Sequence, residues 1–319
     1  MVKKTLIIIC FLCPFFISQV IAEEKESNNE IEKMAMFKKT EALTFIPWYY
    51  LAAINQYEKN IKKEASKDNL IAIEFPNEQW YGLGNLDQIK DATFIQLYNG
   101  IGQDGNGDGK ADPANDEDTL ATMAHWILQW GTSEQDIKIA LWNFYQRAIN
   151  VQTIEEIAKI YKTFGTIELD DNDFPIPLQH NYSYRSTWGD ARGFGGRRIH
   201  EGTDIFANYG TPVKATRYGV VEIVGWNRFG GWRIGIRDIY NTYHYFAHLN
   251  GFKDGLKVGD IVKPGDVIGS VGASGYGPPG TSGKFPPHLH YGMYKDNGYS
   301  EWAFDPYSHL KRWESQARN

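Results

Sequence analysis

Two short segments carry side chains that could hold a metal ion. His200-Glu201-Gly202-Thr203-Asp204 sets an imidazole and a carboxylate four residues apart, and His288-Leu289-His290 sets two imidazoles two apart. In a β-strand side chains alternate between faces, so residues two or four apart point the same way. Both pairs could therefore converge from neighbouring strands on one ion. Two imidazole nitrogens and one carboxylate oxygen make a three-ligand set that leaves a fourth tetrahedral position for water, the arrangement of a catalytic zinc. Zinc held in this way lowers the pKa of water toward neutrality and polarises a scissile carbonyl. A further imidazole beside that water could accept its proton when neutral. When protonated it could stabilise an oxyanion or protonate a leaving amine. A His four residues before an Asp is common by chance. Both pairs in one glycine-rich stretch, with His248 between them, form a far more specific pattern.

The elements that must position these residues are short strands. Val213–Ala215, Gly219–Val224, Trp232–Arg237, Tyr243–His248, Val267–Val271 and Leu289–Tyr294 alternate between Gly and Asn turns, as expected of an antiparallel β domain. His244 stands four before His248, so a regular strand would turn both to one face. Glycine itself divides the chain: nine occur through Gly165 and 23 after it. The earlier part has helical texture. Trp48–Tyr57, Thr119–Leu128, Gln135–Ala148 and Ile154–Phe164 repeat apolar residues at three- and four-residue spacing, with Ser133 and Thr153 as expected N-caps. Asp170–Pro177 (DDNDFPIP) stacks acids and two prolines and reads as a linker. The expected class is α+β in two domains, helical first and antiparallel-sheet second.

Residues from about Tyr184 to His309 resemble the lysostaphin-type zinc endopeptidases, which cut peptide cross-links or stems of bacterial peptidoglycan. The resemblance rests on His200–Ile205 (HEGTDI), Gly210–Ala215 (GTPVKA), Phe246–Leu249 (FAHL), Val258–Gly269 and His288–His290. It implies one zinc per chain on His200, Asp204 and His290, with His248 and His288 flanking the attacking water and the oxyanion. Which of the two does which is left open. His244, His180, His125 and His309 match no ligand of that family. The approach to the second pair, Ala273–Pro287, is longer and richer in proline than the family's usual one and is expected to shape the cleft. Arg197 and Arg198 beside His200 could pair with a substrate carboxylate.

The first half resembles the lysozyme-like lytic transglycosylases, through Phe45–Glu58 (FIPWYYLAAINQYE), Trp142–Tyr145 and the helix Ile154–Phe164. That resemblance implies a general-acid role for Glu58, although Lys59 follows where the family has Ser or Thr. A lysine on the same side would lower the carboxyl pKa. Asp104–Asp112 (DGNGDGKAD) follows the first nine positions of an EF-hand loop, but Asn115 stands at the twelfth, so any calcium site there would be weakened.

Composition narrows the setting. With 319 residues, 42% hydrophobic and net charge −6, the chain is long enough for two cores, too apolar for disorder and too acidic to bind nucleic acid by charge. Lys3 and Lys4, an uncharged stretch and Val20-Ile21-Ala22 read as a signal peptide over residues 1–22, or as an uncleaved anchor that would be the sole membrane contact. Cleavage there removes Cys10 and Cys13, the only cysteines, and with them any thiol catalysis. The expected organisation is a lead segment 23–42, a helical domain 43–169, a linker 170–183 and a peptidase domain 184–319. The expected protein is an exported zinc endopeptidase acting on peptidoglycan stems. The domain pairing resembles family members that cut L-Ala–D-Glu in spore cortex, and so implies action at the wall, the membrane or the forespore. The rivals are a bifunctional hydrolase that also cuts glycan through Glu58, and a non-catalytic wall-binding or regulatory protein.

Overall fold

The computed structural model describes residues 14–62, 69–194 and 196–318, with backbone alone for 14–27. Residues 1–13 of the expected leader lie outside the described residues, and 14–22 open helix α1 (Pro14–Thr44). Among the described residues no helix is long and apolar enough to cross a membrane.

The first half is helical. α1 lays Met36 and Phe37 on α2 (Trp48–Ile61), whose Leu51, Ala53, Ile54 and Tyr57 are buried. Two short helices, α3 (Asn77–Tyr81) and α4 (Ala92–Leu97), enclose a small cluster around Trp80 and Ile95. α5 (Asp116–Leu128) and α6 (Glu134–Tyr145) follow, and Ser133 and Asp136 close a reciprocal capping box at the start of α6. Gln146 takes a left-handed φ of 52°, which stops α6 short of Ala148, and α7 (Ala148–Phe164) starts at once. Thr153 consequently lies inside α7, buried, rather than at a cap.

The second half is a sheet of ten strands. In chain order these are β1 (Tyr182–Tyr184), then β4 (Thr203–Ala207) after a separate ribbon of β2 (Ala191–Arg192) and β3 (Arg198–Ile199). β5 (Pro212–Lys214), β6 (Gly219–Asn227), β7 (Gly231–Asp238), β8 (Thr242–Phe252), β9 (Ile261–Val262), β10 (Val267–Val271), β11 (His288–Asp296) and β12 (Glu301–Phe304) complete it. The main path runs β1-β4-β11-β8-β7-β6-β9, all antiparallel. One face of the central strands is apolar and carries Ile205, Ile234, Phe246, Leu289 and Tyr291. The last helix, α8 (Tyr307–Arg318), covers part of it with Leu310 and Trp313. Phe174 and Ile176, from the stretch that composition reads as a linker, are fully buried in this same core. The opposite face of β4, β11 and β8 is left for polar side chains.

Polar contacts join the halves. Arg147 at the start of α7 donates two 2.7 Å hydrogen bonds to the carboxylate of Asp296, the buried last residue of β11. Asn60 Nδ2 donates to the Ile239 carbonyl at 2.8 Å. Glu156 of α7 faces Glu222 of β6, which also receives Arg237 at 2.6 Å. Burial, and next the Glu222 charge, push the Glu156 pKa up. Because its folded pKa exceeds the unfolded value of about 4.3, this group favours folding below that value and loses the contribution as pH rises through the folded pKa. Glu156→Gln cannot ionise, so its melting temperature relative to wild type should rise between pH 5 and pH 9. A difference that stays flat across that range would contradict the assignment.

Candidate active site

The polar face of the sheet holds a cleft of about 670 Å³ lined by residues of β2, β3, β4, β7, β8, β11 and β12 and by the loops that enter β4, β7 and β11. Its centre is set by register. Asp204 of β4 and His290 of β11 are direct cross-strand partners, and His290 Nδ1 lies 3.1 Å from Asp204 Oδ1. His200 reaches the same point by another route. It sits in the turn between β3 and β4, not on a strand, held by backbone bonds to Gly189 and Asp190. Its Nε2 is 2.8 Å from His290 Nδ1 and 3.0 Å from Asp204 Oδ1. Strand alternation thus accounts for Asp204 and His290, and the turn supplies His200.

Two of the three ligands are fixed from outside. His200 Nδ1–H donates to the Thr187 carbonyl at 2.8 Å, which leaves Nε2 bare toward the cleft. Arg192 donates to Asp204 Oδ2 at 2.7 Å, and the Asp204 amide donates to Thr187 Oγ1 at 3.0 Å. Burial alone would raise the Asp204 pKa, but the His200 and His290 imidazoles set against its carboxylate hold it well below the usual range. Two imidazole nitrogens and an ionised carboxylate, buried together with supporting hydrogen bonds, fit a divalent transition metal such as zinc. Among the described residues only this trio brings three such ligand atoms together.

Two more imidazoles face the same cleft. His288 Nδ1 donates to the Pro286 carbonyl at 2.8 Å, and its Nε2 lies 3.7 Å from Asp204 Oδ1. His248 Nδ1 donates to the Ser274 carbonyl at 2.8 Å, and its ring centroid is 4.8 Å from that of His288. Burial, then the neighbouring imidazoles, push the His248 pKa down to about 3, so the ring is neutral. The Ala273–Pro287 loop therefore orients both histidines through its carbonyls, and it adds Tyr276 and Phe285 to the cleft wall.

His248 and His244 do not share a face. Trp232 pairs with Leu249 and Ile234 with Phe246, so Arg233 alone opposes both Ala247 and His248. This bulge, with His248 at φ 62°, turns His248 into the cleft beside Tyr245. His244 stays on the apolar side, bonded to Asp238 at 3.0 Å and Tyr291 Oη at 2.6 Å. Of the two arginines expected near substrate, Arg198 lines the cleft and Arg197 does not. Arg192 and Arg233 line it as well, and no spacing in the sequence marked them.

The remaining expected sites lie apart. Glu58 is buried in the helical half and accepts a 2.7 Å hydrogen bond from Tyr145 Oη. Burial raises its pKa against Tyr145 and Lys62, while Lys59 is exposed and has no part in the shift. Calcium at Asp104–Asp112 finds no support. The Asp104 carboxylate accepts the amides of Gly107, Asp108 and Gly109, Asp112 pairs with Lys90, and the loop gathers no three-ligand cluster.

Gly202 is required by close approach, because a Cβ there would fall 2.6 Å from the His290 ring. Gly202→Ala should displace that ring and weaken metal binding by about tenfold or more, read as metal per chain after dialysis. Unchanged retention would contradict the packing.

The profile of Peptidase family M23 matches residues 198–306. The L-Ala–D-Glu endopeptidase of Bacillus subtilis is 57% identical over 317 residues, covering 98% of this chain and 97% of that protein. Lysostaphin of Staphylococcus simulans is 36% identical over 115 residues, which cover 35% of this chain and 22% of lysostaphin. Its solved catalytic domain aligns at 33% identity and a TM-score of 0.33, covering 41% of this chain and 92% of that domain. Similar along nearly its whole length to a relative at 57% identity, the chain belongs to Peptidase family M23.

Proposed function

We propose that this peptidase hydrolyses the L-Ala–D-Glu bond of peptidoglycan stem peptides outside the cytoplasm. In this reading His200, Asp204 and His290 hold one zinc ion, and His248 and His288 move the protons. The observation that carries it is the buried trio flanked by two imidazoles whose Nδ1–H groups are committed to backbone carbonyls. The near full-length likeness to an L-Ala–D-Glu endopeptidase supports the choice of bond.

Zinc in the trio supplies Lewis acidity, making water more acidic and a carbonyl more electrophilic. The protein's own groups do the rest. His248 and His288 each present a bare Nε2 to the cleft, so either can take the proton of an attacking water. The imidazolium so formed can donate to the tetrahedral oxyanion or to the departing amide nitrogen, which leaves as an amine. Arg192 holds Asp204 Oδ2 and thereby fixes which carboxylate oxygen faces the trio.

The same reading assigns residues 1–22 as an export leader or anchor, 23–42 as a lead, 43–169 as a lysozyme-like module, 170–183 as a linker that packs Phe174 and Ile176 on the sheet core, and 184–319 as the peptidase. It places the activity in the wall, with spore cortex as the setting. A second activity, glycan cleavage through Glu58, is favoured by one observation: a buried carboxyl of raised pKa that receives a phenol hydrogen bond, as a general acid needs.

His200→Ala, Asp204→Ala and His290→Ala should each lose zinc, measured by elemental analysis. His248→Ala and His288→Ala should keep it and lose turnover by a factor of about a hundred or more. Zinc retention in the first three, or ordinary turnover in the last two, would contradict these roles. Digestion of tetrapeptide muropeptides should leave muramic acid bearing a lone L-Ala by mass spectrometry. Intact stems with only their cross-links opened would overturn the choice of bond.

A further inference from the structure

The charged side chains of the cleft are unevenly paired. Of its guanidinium groups, Arg192 is spent on Asp204 at 2.7 Å. Of its carboxylates, Glu301 receives the buried Arg237 at 3.0 Å, and Glu201 is exposed beside the Tyr294 phenol. Arg198 and Arg233 form no ion pair among the described residues. Arg198 lies over the Phe229 ring at 5.5 Å, and Arg233 Nε is buried with no hydrogen-bond partner. A buried donor without a partner is costly, and a charged one more so, unless a ligand satisfies it.

Both arginines share the cleft wall with one phenol, that of Tyr245. Tyr245 stands between Gly235 on β7 and Gly292 on β11, with its ring 5.9 Å from that of His290. A Cβ on Gly230 would fall 2.2 Å from Tyr245 Oη, so the hydroxyl is packed against bare backbone. Burial raises the Tyr245 pKa, and the charges of Arg233 and Arg198 oppose it, as expected of cations beside the phenol. The phenol thus stays protonated and can donate.

This corner is aligned with the metal trio. Arg233 opposes the Ala247–His248 bulge, Ala247 opposes His290, and His290 opposes Asp204, so one row crosses four strands. Arg233 begins two strand spacings from His290, about 10 Å, and its side chain spans much of that.

We infer that Arg233, with Arg198 and the Tyr245 hydroxyl, binds the free carboxylate of the glutamyl residue on the amine side of the scissile bond. The inference rests on the proposed L-Ala–D-Glu cleavage. A glutamyl residue within a peptide spends one carboxyl on its onward bond and keeps the other as an anion. The alanyl side of the bond carries no charge. With the scissile carbonyl at the trio, the glutamyl residue starts one bond beyond the amide carbon, within range of a guanidinium extended along the row. Planar guanidinium groups match a carboxylate with paired donors, whereas its carboxamide brings N–H groups against the same donors. The corner would therefore act as a specificity device that selects substrates whose glutamyl carboxylate has not been amidated.

The test compares two synthetic stem peptides, identical except that the glutamyl carboxylate of one is a carboxamide. For the wild-type chain kcat/KM should favour the free acid by about tenfold or more, because a site built for hydrogen bonds rejects an analogue that leaves them unmade. In Arg198→Gln, an exposed position, that preference should shrink. In Arg233→Gln and the double variant it should fall to about one, with zinc per chain retained, and Arg233→Lys should restore part of it. Equal cleavage of both peptides by the wild type, or an undiminished preference in the double variant, would overturn the inference and leave the proposed function standing. Failure of the wild type to cut either peptide would overturn the proposed function, and the inference with it.

Discussion

Asp204 and His290 face each other across β4 and β11, and the cleft is organised around keeping those two groups and His200 within 3.1 Å of one another. Three buried lone-pair donors at that separation are an expensive arrangement in a medium of low dielectric. Several features of the surrounding structure serve to maintain it. Gly202 gives up its side chain to admit the His290 ring, Thr187 holds both His200 and the Asp204 amide, and Arg192 offsets the carboxylate charge. A divalent cation among the three would turn their repulsion into ligation.

β11 is the common member of these contacts. It begins with His288, carries His290, and ends at Asp296, where Arg147 of the helical half binds both carboxylate oxygens. The position of the helical half is thus tied to the strand that carries two of the cleft imidazoles. A second connection runs from Glu156 of α7 past Glu222 to Arg237 and on to Glu301 at the cleft. Docking of the two halves and shaping of the cleft draw on the same strands.

Much of this was legible in the chain. The HEGTD and HLH segments carry all three metal-binding candidates, and six strand candidates fall on β5, β6, β7, β8, β10 and β11. What escaped has physical causes. A bulge adds one residue and inverts alternation beyond it, so the spacing of His244 and His248 pointed to one face where the fold uses two. His200 enters from a turn, where no periodicity applies. Arg192 and Arg233 are single charged residues that become site residues only through register with distant strands. Phe174 and Ile176 sit among acids and prolines that read as linker, yet an apolar pair can be buried wherever a sheet leaves room. Lys59 follows Glu58 directly in sequence but points to solvent, because adjacent residues on a helix diverge by about 100°.

X-ray absorption at the zinc edge of the zinc-loaded, full-length protein tests the central claim most directly. The trio predicts a first shell of nitrogen and oxygen at about 2.0–2.1 Å, with outer-shell scattering from two imidazoles. In Asp204→Ala the imidazole signal should persist in whatever zinc remains, and in His290→Ala it should fall by half. A shell without imidazole scattering in the wild-type protein, or one unchanged by His290→Ala, would contradict the account.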